Sequence, residues 1–109
     1  INDIYYSTSS TSINEESKLI LIQFADYLKE HPTWIIEIRG HTDNIGDDKS
    51  NEALSLGRAN QVKDFLVLRG VKVEQLSAKG FGESKPVASN DTESGRAKNR
   101  RTEFVIKKL

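Results

Sequence analysis

Two side chains of opposite charge, Asp43 and Arg58, fall where the sequence pattern obliges each to find a partner. Asp43 lies in Gly40-His41-Thr42-Asp43-Asn44-Ile45-Gly46, just past a predicted strand. Open α/β sheets place ligand sites at that end of their strands. Arg58 shares its helical phase with Leu54, Val62 and Phe65, so its stem follows the apolar side of a predicted helix. A guanidinium in that position needs a fixed acceptor, because an unpaired buried charge is strongly unfavourable. Asn51 stands on the same face. Two chemistries fit this set. Asp43 and Arg58 form a structural ion pair with Asn51 as a helix cap, or they face a zwitterion such as an amino acid. In the second case Asp43 meets the ammonium, and Arg58 grips the carboxylate through two parallel hydrogen bonds.

Other chemistries lack their residues. His31 and His41 have no third ligand at recognisable spacing, and Asp43, Asp47 and Asp48 do not follow a calcium loop, so no metal is expected. His41 reads as a packed, hydrogen-bonded histidine. Serines are plentiful, but no nucleophile elbow appears. No catalytic residue, enzyme activity or cofactor is expected. Arg96-Ala97-Lys98-Asn99-Arg100-Arg101 is a basic cluster without interleaved aromatics, and reads as solvated charge at the start of a strand. The chain's 16 Lys+Arg balance 16 Asp+Glu, which argues against a nucleic-acid partner.

The elements that position these residues follow from periodicity. Ile4-Tyr5-Tyr6 is a short strand before the Ser/Thr run Ser7 to Ser12. Ser12 and Glu15 have capping-box spacing, so a helix starts there, carries Ile20, Phe24, Tyr27 and Leu28 at helical spacing, and stops before Pro32. Trp34 to Arg39 alternates as a strand ending at Gly40. A second helix is predicted from an Asn51 cap to Arg69, with Gly70 as its stop. Gly57 inside it predicts the close approach of a neighbouring backbone. Leu76 to Lys79 and a strand through Thr102, Phe104 and Ile106 complete the set, with one short helical turn late in the connection between them. The fold class is therefore an α/β (α+β) two-layer sandwich: βαβαββ, a four-stranded mixed sheet, its last strand antiparallel, both helices on one face.

Length and composition bound the rest. The 109 residues, 36% hydrophobic and 29% charged, suit one globular domain over 1–109. No apolar run approaches the roughly 18 residues of a membrane-spanning helix. Without Cys there is no disulfide framework, and the redox compartment stays open. A chain with no Met that begins at Ile1 predicts a domain excised from a larger protein.

Taken together, Gly40-His41-Thr42-Asp43, Gly46, Asn51, Leu54-Ser55, Arg58-Ala59, Gly80-Phe81-Gly82-Glu83, Pro86 and Gly95 through Arg101 resemble the OmpA-like C-terminal domain. This is the peptidoglycan-binding module of outer-membrane proteins, peptidoglycan-associated lipoproteins and flagellar stator proteins. The resemblance runs from about Ile4 to Ile106. It implies a periplasmic domain of a Gram-negative envelope protein that holds the diaminopimelate residue of the peptidoglycan stem peptide without covalent bonds. On the matching positions it implies Asp43 for the ammonium, Arg58 for the carboxylate, Thr42 and Asn51 for further hydrogen bonds, and Leu54 as an apolar wall. Tyr6 stands where a Phe is common and borders the pocket. Ser7 and Ser9 occupy loop positions where relatives often carry Asp and Asn, and the hydroxyl of Tyr6 needs a partner or water. The domain is expected to be a monomer that is not itself inserted in a membrane. Two other readings compete: a structural or protein-interaction domain of the same fold with a degenerate pocket, and a small enzyme on the same layout. Retention on insoluble peptidoglycan separates the first of these from a binding module.

Overall fold

Alternation along Ile35-Ile36-Glu37-Ile38-Arg39-Gly40 puts Ile36 and Ile38 on one face of a strand, and both are fully buried. The computed structural model of the chain describes residues 3–109. Among the described residues the elements are β1 (Ile4–Tyr5), α1 (Glu15–Glu30), β2 (Ile35–Gly40), α2 (Asp48–Leu68), a 3₁₀ turn (Val73–Gln75), β3 (Leu76–Gly80), α3 (Glu93–Asn99) and β4 (Arg101–Lys108). The sheet order is β1-β4-β2-β3. β2 pairs parallel with β3, and β4 runs antiparallel to both β1 and β2, as expected for the last strand. α3, seven residues at the end of the connection between β3 and β4, stands where the sequence predicts a short helical turn.

One apolar cluster joins the layers. Ile4, Ile36, Ile38 and Leu76 of the sheet meet Leu21, Ala25 and Leu28 of α1 and Ala59, Val62 and Leu66 of α2. The buried stripe of α1 is therefore Ser17, Leu21, Ala25 and Leu28 rather than the Ile20–Phe24–Tyr27 row. That row overhangs the sheet edge: Phe24 meets Phe104 edge-on at 5.3 Å, and Tyr27 packs on His31 and Trp34. Gln75 ties the end of α1 to the sheet, its Nε2 donating to the carbonyls of Leu28, His31 and Trp34 at 3.2, 3.0 and 3.3 Å.

Both long helices start elsewhere than the predicted caps. Asn14, not Ser12, caps α1 by accepting from Ser17 N, and Asp47, not Asn51, caps α2 by accepting from Ser50 N at 2.8 Å. Ser12, Asn14, Asp47 and Asn51 all carry suitable side-chain oxygens, so local chemistry does not choose among them. Starting α2 at Asp48 carries Asn51 into the first turn, where it is buried. Gly70 (φ 102°) stops α2 as predicted. The close backbone approach expected at Gly57 occurs instead at Gly40 and Gly80. A Cβ on either would strike α2 at Ser55 and Leu56, whereas Gly57 faces only the Thr11 methyl at 3.3 Å. These two glycines let the ends of β2 and β3 sit directly under the first turns of α2.

Candidate functional site

The C-terminal end of β2, the first turns of α2 and the Ser/Thr loop after β1 converge on a small pocket of about 40 Å³. Thr8, Ser9, Thr42, Asp43, Ile45, Asn51, Leu54, Arg58 and Arg100 line it. Of the six residues that the resemblance implies for the site, Thr42, Asp43, Asn51 and Leu54 line this pocket. Arg58 is the fifth. A larger groove of about 680 Å³ lies between α1 and β4, but its lining of Ile20, Gln23, Phe24, Tyr27, Trp34, Phe104 and Ile106 holds no charged group. The charged side chains line the small pocket instead.

Arg58 is 0% exposed. It forms no ion pair with Asp43, so the structural pair weighed from the sequence is not made. Three backbone carbonyls hold the guanidinium instead: Nε donates to Ser10 O at 2.8 Å, Nη1 to His41 O at 2.9 Å and Nη2 to Ser7 O at 3.1 Å. A guanidinium has five N–H donors, so two remain. Burial pushes its pKa down to about 10, opposed by Tyr6 and Asp43, and it stays cationic at neutral pH. Ser9, in the loop that supplies two of these carbonyls, adopts φ 58°.

Asp43 has a different partner from the one expected. Its Oδ1 accepts from Ile45 N at 3.0 Å, and its Oδ2 accepts from Arg100 Nη1 at 3.1 Å. Arg100 also donates to both oxygens of Glu93, at 3.0 and 3.3 Å, and through Nε to Tyr6 O at 2.9 Å. Reading Arg96–Arg101 as solvated charge therefore needs correction. Arg100 and Arg101 are buried, and Asn99 is fully enclosed, where it bridges Val87 N, Ala88 and Asn90. A carboxylate at a strand end demands a cation, but nothing in that demand chooses Arg100 among the chain's 16 Lys and Arg.

Asn51 supplies the most pointed feature. It is 4% exposed and lines the pocket, and its Nδ2 has no hydrogen-bond partner among the described residues. Buried donors are nearly always paired, and this one, like His41 Nδ1, has no partner among the described residues. Thr42 spends its hydroxyl on Asp43 O at 2.8 Å. Tyr6 does not line the pocket. It lies under it, its ring 4.7 Å from Arg58 Cζ, and its hydroxyl finds Thr102 Oγ1 at 2.9 Å. Burial raises the Tyr6 pKa. His41 behaves as the packed residue predicted: Nε2 meets Glu103 Oε1 at 2.9 Å, and the ring stacks on Phe81. Burial and Arg101 hold its pKa below the ordinary value.

Comparison with known proteins adds to this geometry. The model of the OmpA family matches residues 5–100. Outer membrane porin F of Pseudomonas fluorescens is 42% identical over 104 residues, covering 95% of this chain and 32% of that protein. The peptidoglycan-binding protein ArfA of Mycobacterium bovis is 42% identical over 103 residues, 94% of this chain and 32% of that protein. The chain thus spans about a third of the length of these curated relatives. The crystal structure of the peptidoglycan-associated lipoprotein from Burkholderia pseudomallei superimposes with a TM-score of 0.95 at 37% identity, covering 98% of this chain and 91% of that one.

Proposed function

Because the chain belongs to the OmpA family and keeps a charged pocket, we propose that it is a peptidoglycan-binding domain that anchors its parent protein to the cell wall. The names of two relatives support this reading, one a peptidoglycan-binding protein and one a peptidoglycan-associated lipoprotein. The parent protein then sits in the bacterial envelope with this domain facing the wall. The ligand is the free end of diaminopimelate in the stem peptide, which presents an ammonium and a carboxylate on one carbon.

One observation carries the zwitterion reading: the unpartnered Nδ2 of Asn51 shares a pocket with a carboxylate and a guanidinium that are not paired to each other. Asp43 receives the ammonium. The two spare N–H groups of Arg58 and the amide of Asn51 receive the carboxylate. Leu54 packs against the aliphatic chain. The three carbonyls on Arg58 orient its plane before the ligand arrives, which lowers the ordering cost of binding. Tyr6 acts from behind the wall, under the guanidinium, and Thr42, in the wall, fixes the Asp43 backbone through its hydroxyl.

The test is co-sedimentation with two kinds of insoluble peptidoglycan. Diaminopimelate-type wall should retain the protein, and lysine-type wall, which lacks the second carboxylate at the side-chain end, should retain it poorly. Added salt should weaken retention at this partly wet charged site. Equal retention on both wall types would show that Arg58 does not read that carboxylate.

A further inference from the structure

Resting on the reading of the pocket as a zwitterion site, we propose that Glu93 is a positioning residue: it draws Arg100 aside and so leaves Asp43 able to take a ligand ammonium. Arg100 makes three carboxylate contacts, and two of them go to Glu93, at 3.0 Å from Nη1 and 3.3 Å from Nη2. Asp43 gets one, at 3.1 Å from the same Nη1. A guanidinium free of Glu93 would turn both η nitrogens on Asp43 and grip it bidentately, the strongest geometry this pair can adopt. Asp43 would then be neutralised by a resident cation before any ligand ammonium reached it. With Glu93 in place, Asp43 spends one oxygen on Ile45 N and the other on a shared Nη1, and keeps unused acceptor capacity on both.

Charge accounting points the same way. Asp43, Glu93, Arg58 and Arg100 sum to zero, which suits a ligand end that is neutral overall. Without the Glu93 charge the set becomes cationic, and favours a plain carboxylate over a zwitterion. Glu93 has no other evident duty at the pocket: its side chain is 62% exposed, it does not line the cavity, and its remaining neighbour is Arg96 Nε at 3.6 Å. Arg96 itself donates to Asn90 O. The N-cap of α3 is Thr92, whose hydroxyl accepts from Gly95 N, so the side-chain cap of the helix survives a change at Glu93.

The experiment titrates free meso-diaminopimelate into the parent protein, Glu93→Gln and Glu93→Asp by calorimetry, with thermal melts of all three. Glu93→Gln should weaken binding about three- to tenfold, in the range of measured coupling between neighbouring charged groups. Its melting temperature should stay near the parent's. Glu93→Asp, which restores the charge, should recover at least half of the loss on a logarithmic scale. Binding by Glu93→Gln within twofold of the parent would overturn the proposal. So would an equal loss in Glu93→Asp, or a loss that tracks a lowered melting temperature. A parent protein that fails to bind diaminopimelate would instead sink the zwitterion reading, and this inference with it.

Discussion

Arg58, Asp43 and Asn51 share one pocket, yet their substitutions should separate binding from stability in three different ways. Arg58→Lys cannot satisfy the carbonyls of Ser7, Ser10 and His41 at once, so it should lose both. Leaving buried acceptors unpaired costs about 1–3 kcal/mol each. Asp43→Asn should abolish retention on peptidoglycan with a smaller fall in melting temperature, because Glu93 still holds Arg100. Asn51→Ala should weaken binding without destabilising the fold, since it deletes a donor that has no internal partner. Melts and co-sedimentation of the three variants check the set. An Asn51→Ala variant that melts well below the parent would mean that its amide is paired within the protein. Helix phase and strand end sufficed to find these three residues in the sequence. They could not reveal Arg100, because its partner Asp43 lies 57 positions away and its own neighbours are basic. Nor could they tell that Arg58 would choose backbone carbonyls, which carry no residue identity.

Elements were legible wherever periodicity was long and undivided, as in β2, α2 and β4, and less so at their ends. The start of α2 shows why. Asp47 and Asn51 are both good caps, and what selects Asp47 is tertiary: the resulting first turn delivers Asn51 to the pocket and Ser55 to Gly40 and Gly80. Periodicity does not single out the buried stripe of α1 for a related reason, since its flanking row is also apolar and only the sheet edge decides which row is covered. Nothing in the sequence marks Gln75, because its three acceptors are main-chain oxygens. It offers a sharp test of how α1 is tied to the sheet. Gln75→Glu replaces an amide donor with a carboxylate facing those oxygens, and should destabilise the protein by about 2–4 kcal/mol. Denaturant unfolding measures this directly. A midpoint equal to the parent's would show that the latch is not formed.

At the scale of the whole molecule, stability should depend on pH through His41. Its folded-state pKa lies below the ordinary 6.5 because burial and Arg101 disfavour the cation, against the pull of Glu103. The unfolded chain therefore binds the proton more readily, and stability is lost as pH falls through about 6.5 toward the folded value. Melting temperatures from about pH 7.5 to about pH 5.5 should decline in the parent and stay nearly level in His41→Gln. A level parent profile would exclude this role for His41. The carbonyl of the same residue accepts from Arg58 Nη1. That anchoring by three carbonyls, from chain segments dozens of residues apart, has a consequence for descent. A duplicated copy released from selection for wall binding cannot shed Arg58 first, because the loops that cradle it would lose their common anchor. Asn51 and Leu54 are the free exits. Copies that drift to another purpose should therefore keep the arginine as a relic long after the pocket around it has changed.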